Sequence, residues 1–507
     1  MIAGAGALAV AVALLPALGR AADGDGPLGL PALGLTDASW LDTEHVRSEL
    51  LGGARDCDRA YRYASRADAR MLSGTLLGAD LSPVVALSGV TTQHTGAPGT
   101  SAVATPSTAP SVGPDAHAAP LSVTALSGVA SGQAASVVVL PAAGQEAALL
   151  NQTAYAASDG EARSAAGAVT DAGAVSTTSS EPNADGKLPG EAVVDLDRLG
   201  LPALAKLRLQ VGALSSAAVL DGCLRDEKGA GPTRDYRVAA LRLRLASPQV
   251  EELHRFAGER VGTSLATVAG LQASLAASIG PVLGGTATVA IGTTSTKSAA
   301  ELSRRLGGSG PVVVDLARGA VEVDLERLLA SRGGLNGQPP GTEIVDQALL
   351  DLVAGQVDAL LQQWLVDLAA ALTADIRASS LSIVVRAPLT GTTLLSLTTT
   401  IGGFIDSPGL LAGVASSLNT TLFTPPTGVV PQLVTAVGPV RAAVRPATAA
   451  ALAGVSGALS LRVNDRRDAS GVHDVSALRI RTLAGPAGSF TDLRLATSSV
   501  GPVVEQP

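Results

Sequence analysis

The 507-residue chain is 46% hydrophobic, enough to bury the cores of roughly two to four domains. Its net charge of −8 and pI near 5.2 leave no basic face for nucleic acid, whose phosphates need one. Four Phe, four Tyr and two Trp exclude a core or interface built on bulky rings, so the packing must be aliphatic.

Met1–Gly19 is an uncharged run rich in Ala, Leu and Val, ending at Arg20. It reads as a secretory signal within residues 1–22, with small residues at Ala17, Gly19 and Ala21 offering cleavage sites. No Lys or Arg precedes Arg20, so the usual basic start is missing. The alternative is an N-terminal membrane helix, since ~20 apolar residues just span a bilayer. Internal glycines, Pro16 and the polar stretch 20–26 favour a cleaved signal, and membrane contact is expected only if residues 1–19 remain. In an exported protein the two cysteines, Cys57 and Cys223, read as a disulfide. Closing a loop of roughly 165 residues would stabilise by about 4–5 kcal/mol in the chain-entropy model; the alternative is two unpaired thiols.

Residues 37–246 are expected to form an N-terminal β-rich domain. Its first part, Asp37–Leu77, is densely charged, and some of it should be helical with a solvated face. Residues 91–120, rich in Thr, Ser, Ala, Gly and Pro, read as a long low-complexity insertion. Val84–Val90, Leu121–Leu126 and Ala135–Leu140 are short β-prone runs, and Ala-Leu-Ser-Gly-Val occurs at both 86–90 and 125–129. Leu207–Val211 and Leu241–Leu245 alternate strictly and predict half-buried strands. Arg242 and Arg244, on one face, could hold an anion or simply form the solvent side of a sheet.

Residues 247–380 should be rich in helix. Ser247-Pro248 is an N-cap followed by a proline suited to the first turn. Thr342–Ala378 is the clearest helix, with Thr342 as its cap and Val345, Leu349, Leu352, Leu360, Trp364, Leu368 and Leu372 as its apolar stripe. A β element is expected at 311–325. Residues 381–507 return to strands at 381–386, 395–401, 459–463, 478–482 and 493–496, with turn residues at 464–470. Five prolines between Leu422 and Ala450 predict only short helix there.

Val-Asp-Leu-x-Arg occurs three times, at 194–198, 314–318 and 323–327. A strand ending at Val would let the Asp accept backbone N–H groups of the next turn. The functional alternative gathers Asp195, Asp197, Asp315, Asp324 and Glu326 into a divalent-cation site. Asp195, Asp315 and Asp324 are therefore the metal candidates, but the close spacing of a calcium loop is absent. His45, His94, His117, His254 and His473 stand apart, without a zinc spacing. There is no nucleophile elbow and no P-loop. No catalytic residue and no cofactor is assigned, and the chain is read as not an enzyme.

Several segments resemble, in their order, the choice-of-anchor G family of actinobacterial exported proteins. They are Arg66–Gly78, Ala154–Gly160 with Gly167–Val169, Gly319–Ala330, and Leu493–Pro502. The resemblance spans about residues 40–502 and implies surface display through a C-terminal anchor, with no catalytic residues to carry over. The final residues, Ser-Ser-Val-Gly-Pro-Val-Val-Glu-Gln-Pro507, lack a sorting motif or hydrophobic tail, so release, non-covalent retention or a truncated record is expected. The fold class expected is α+β, mostly antiparallel and sandwich-like β, with long helices in the middle of the chain. The function expected is that of a secreted or cell-surface structural or adhesive protein, with cell-wall polymer or other surface proteins as partners. The alternatives are a secreted enzyme acting on wall polymer and an extracellular cation- or small-ligand-binding module.

Overall fold

A computed structural model describes residues 62–76, 78–81, 89–119, 138–139, 150–168, 192–196, 206–212, 214–222, 231–482 and 491–506. The signal segment 1–22, Cys57, Cys223, Asp197, the stretch 121–126 and most of both Ala-Leu-Ser-Gly-Val copies lie outside the described residues.

The fold is α+β with antiparallel sheets. Arg62–Leu76 is one 15-residue strand; the rest of the charged stretch expected to be partly helical, 37–61, lies outside the described residues. Ser65, Ala67, Ala69 and Met71 are buried while Arg66 and Arg70 are not. That period-two pattern was masked by alanine, which favours helix in isolation but fits the tight interior between two sheets. This strand lies centrally in a nine-stranded sheet, pairing with Asp492–Val500 on one side and Val90–His94 on the other. Leu459–Ala469, Val472–Thr482 and Thr342–Glu343 continue the sheet.

A six-stranded sheet, built on Leu150–Ala156, Glu161–Ala168 and Leu214–Asp221, packs face to face on the nine-stranded one. The interior is made of small side chains: Ala67, Ala69, Ala154, Ala162, Ala166 and Ala218 are all nearly inaccessible. Polar stitches cross it. Ser65 Oγ donates to Ala157 O at 2.7 Å, Met71 N donates to Gln152 Oε1 at 2.8 Å, and the Ser216 and Ser498 hydroxyls meet at 2.7 Å. Buried hydroxyls need such partners, because an unpaired one costs about 1–3 kcal/mol.

The stretch expected to be an irregular insertion, 91–120, is ordered instead over its described part, 91–119. Val90–His94 and Val103–Thr105 extend the nine-stranded sheet, while Ser111–Gly113 and Ala116–Ala118 extend the six-stranded one. Its turn is tied by His94, whose Nδ1 accepts Gly96 N at 2.9 Å and whose Nε2 lies 2.9 Å from Thr100 O. Composition concealed this because each strand is too short to show a period.

A seven-stranded sheet carries Leu207–Val211, Leu241–Ala246, Val312–Asp315 and Ala320–Asp324. The cross-strand partners Leu209, Leu243 and Val323, and likewise Leu245, Val321 and Val314, form one buried apolar face. The strands expected at 207–211 and 241–245 and the β element at 311–325 are therefore present.

Helices α1 (Pro248–Gly270), α2 (Gln272–Leu283), α3 (Thr296–Ser303), α4 (Leu325–Leu328), α5 (Gln347–Ala378), α6 (Ile401–Asp406), α7 (Ala412–Phe423) and α8 (Val429–Ala458) follow. Ser247 caps α1, with Pro248 in its first turn. Helix α5 begins later than its sequence suggests. Thr342–Glu343 is drawn into the nine-stranded sheet, where Glu343 accepts Leu461 N at 2.6 Å. Asp346 then caps the helix, accepting Leu349 N at 2.7 Å. Its buried stripe runs through Leu349, Val353, Val357, Leu361, Trp364, Leu368 and Leu372, whereas Leu352 is exposed.

Helix α8 runs for 30 residues through Pro439 and Pro446, against the expectation of short helix. Val430, Leu433, Val437, Val444, Leu452 and Val455 form a continuous buried stripe along α5 and α1. Arg441 pairs with Asp358 of α5 at 2.6 Å. Tertiary packing of that face overrides the loss of two backbone donors.

The segments 37–246, 247–380 and 381–507 interleave. Arg62 pairs with Gln506, so the first and last described residues lie side by side in the sandwich. Helices α5 and α8 then lead away from it. Helix α5 follows a strand of the nine-stranded sheet and ends in the three-stranded sheet of Thr286–Gly292, Ser380–Arg386 and Thr393–Thr400. Helix α8 makes the return trip and feeds Leu459–Ala469.

We expect Ala67→Leu, which inserts three heavy atoms where the residue is 0% exposed, to lower stability by about 1–3 kcal/mol. Denaturant unfolding measures it, and Arg70→Leu on the opposite face of the strand should cost far less.

Candidate functional site

The three Val-Asp-Leu-x-Arg copies all end strands of the seven-stranded sheet. In each the Val and Leu are buried: Val194 and Leu196, Val314 and Leu316, Val323 and Leu325. The Asp between them turns the chain. Asp315 Oδ1 accepts Arg318 N at 3.1 Å, and Asp324 Oδ1 accepts Arg327 N at 3.1 Å as the cap of α4. Their other oxygens face arginines: Asp315 lies 3.8 Å from Arg305 and 3.7 Å from Arg318, and Asp324 lies 3.6 Å from both Arg242 and Arg327. Gly319 closes the turn between the second and third copies at φ +57°, and a Cβ there would meet Glu251 of α1 at 2.7 Å.

The register keeps the three aspartates apart. Asp315 pairs opposite Ala320, four residues from Asp324 along the next strand, a separation of about 13 Å at the usual rise. Asp195 lies opposite Arg208, three strands from Asp324, or about 14 Å at the usual spacing. Among the described residues no group of three or more His, Cys, Asp or Glu side chains could hold a metal ion.

The paired arginines of Leu241–Ala246 face carboxylates rather than an open anion site. Arg242 Nε is 3.6 Å from Asp324 and Arg244 Nε is 3.8 Å from Glu322. Beside them sits Glu326, whose Oε2 is buried without a hydrogen-bond partner. Burial first, and the neighbouring Asp324 second, push its pKa up from 4.5 to about 7 despite Arg327 and Arg242. Asp375 plays a structural part across elements: its carboxylate takes Lys297 N, Ser298 N and Ser298 Oγ at 2.7–3.0 Å, holding the start of α3 against α5.

The surface that stands out chemically is at the far end of α5 and α8. Between Arg260 and Lys297 there is no charged residue, and between Arg386 and Arg441 there is only Asp406, which pairs with Arg377. Together with Ser380–Arg386, whose terminal Arg386 is exposed, these two segments build one lobe from α2, the three-stranded sheet, α6 and α7. Helices of 30 and 32 residues place it about 45–48 Å from the nine-stranded sheet. Its exposed side chains are Thr, Ser and large aliphatics: Val282 is 57% exposed, Leu389 98%, Leu394 52% and Leu410 89%. By length and composition the run Pro248–Leu283 could cross a membrane, a test that core helices also pass; only 22% of its most apolar window is buried. No chemistry-bearing motif marks this lobe in the sequence. The signal was the absence of charge along two separate stretches.

A family model described as a domain of unknown function (DUF8394) matches residues 67–501. No curated protein and no solved structure matches the chain.

The raised pKa of Glu326 predicts a pH effect of definite sign. The folded state holds the proton up to about pH 7 while an unfolded Glu releases it near 4.5, so this contribution is complete below pH 4.5 and lost as pH rises towards 7. Glu326→Gln should therefore raise Tm at pH 8 and leave it little changed at pH 4. Equal effects at both pH values would contradict this.

Proposed function

The chain belongs to the DUF8394 family, and from that premise we propose that it is an exported structural protein displayed at a cell surface, where its charge-poor lobe makes adhesive contacts. One observation carries the reading. A charge-poor, Thr-, Ser- and aliphatic-rich lobe is held about 45 Å from a sandwich where the first and last described residues pair. An attachment at Arg62 or Gln506 would leave the lobe facing outwards. The opening run Met1–Gly19 supports export, and the resemblance to choice-of-anchor G proteins supports display.

The chemistry of the lobe suits extended, weak contacts. Threonine and serine hydroxyls both donate and accept, and the exposed aliphatics add apolar area. With 2% aromatics in the chain, affinity would come from area and repetition rather than from aromatic anchors. Cell-wall polymer or other surface proteins are the partners proposed. A divalent-cation module finds no support in the dispersed aspartates.

The test is fractionation of producing cells into medium, wall, membrane and cytoplasm, followed by protease treatment of intact cells. We expect recovery outside the cytoplasm, with early cleavage in the exposed turn 387–392. Recovery in the cytoplasm alone would overturn the proposal.

A further inference from the structure

We propose that the lobe is a self-association site, in which strand Thr393–Thr400 pairs antiparallel with the same strand of a second copy. This strand, Thr-Leu-Leu-Ser-Leu-Thr-Thr-Thr, pairs Ser380–Arg386 on one side, and among the described residues no strand pairs its other side. None of its eight residues is buried. A sheet edge of this length presents a row of free N–H and C=O groups, which natural proteins blunt with Lys, Pro, an inward charge or a cover. The strand contains no Lys, no Pro and no charge. Its one irregularity lies at Val385/Arg386 on the neighbouring strand, at the end of the pairing. An edge left this open is built to be paired.

Charge selects a second copy as the occupant. A two-fold axis sets each residue against itself or a near neighbour, so any charged patch repels its mate. The molecule as a whole carries −8. In the lobe two such molecules can approach with few like charges opposed: Asp406 is already paired with Arg377, and Arg386, which lies beside Thr393, is placed by the axis at the opposite end of the paired strands from its mate. The pattern of the strand is also self-complementary. With the axis at Ser396, Leu395 of each copy lies opposite Leu397 of the other, and Leu394 lies opposite Thr398. Leu395 and Leu397 are the half-buried positions on the inner face, so pairing extends that apolar row across the axis. The other edge, Thr286–Gly292, is less suited: Val289 and Ile291 are already buried, and joining it to Thr393–Thr400 would give an open filament. The pairing would hold wherever the protein is located.

The experiment uses the full chain in sedimentation velocity over a concentration series, with Ser396→Lys, the double variant Ser396→Lys/Thr398→Lys, and Ser396→Cys. The wild type should show a concentration-dependent dimer. Both lysine variants should weaken it by at least tenfold without lowering Tm, because the substituted side chains are exposed. Opposed Cα atoms in an antiparallel pair lie about 4.5–5.5 Å apart, within disulfide reach. Mild oxidation of Ser396→Cys should therefore give a covalent dimer that wild type, with Cys57 and Cys223 alone, does not form. A wild type monomeric at all concentrations, a dimer unaffected by the lysines, open-ended polymers, or vesicle binding by a monomer would each overturn the proposal.

Discussion

The antiparallel pairing of Arg62–Leu76 with Asp492–Val500 is the contact on which the arrangement of the molecule rests. It joins strands more than 400 positions apart in sequence, so the loop-closure cost must be met before the contact forms. The interface that repays this is unusual in composition. Alanine and serine line the space between the sheets, so stabilisation comes from close approach and many small contacts rather than from a few large side chains. The Ser216–Ser498 contact and the Gln152 bond to Met71 N satisfy several of the polar groups that such an interior buries, while Ser164 Oγ is buried without a partner. Larger residues would separate the sheets and break these bonds together.

Between Thr342–Glu343 and Leu459–Ala469, which pair in the nine-stranded sheet, the chain must leave the sandwich and return. Helices α5 and α8 make those two journeys, α5 out to the three-stranded sheet and α8 back from α7 to Leu459–Ala469. The Asp358–Arg441 pair fixes how they lie together, while Trp364, fully buried, ties α5 to α3 by donating Nε1 to Glu301 O at 3.0 Å. Asp375, buried and bonded to the start of α3, ties the distal end. Arginine–carboxylate pairs cover the sheets and the helical stalk. The lobe at the end of the stalk is nearly without them, and that contrast distinguishes it as a surface for contact.

Much of the fold was legible in the residues. Leu207–Val211 and Leu241–Leu245 announced their strands by strict alternation, and Ser247-Pro248 announced a helix start. The repeated Val-Asp-Leu-x-Arg showed its capping role at Asp315 and Asp324. What misled were residues whose local preference tertiary packing overruled. Pro439 and Pro446 looked like stops until an apolar face needed covering. Thr342 looked like a cap until Glu343 was drawn into a sheet. The lobe was legible only as a gap in the charge pattern, which carries no meaning until two distant gaps are known to meet.

The sequence by itself determined the aliphatic character of the core, the acidic surface, the alternation of most strands and the turn chemistry of the repeated motif. Each follows from side-chain type and local spacing, which act over a few residues. Tertiary structure alone decided that the first and last described strands are neighbours, that three candidate metal-binding aspartates stand apart, and that two uncharged stretches form one surface. These depend on which strand pairs with which, and that choice is made by complementary faces far apart in the chain, through packing that no short stretch of sequence encodes.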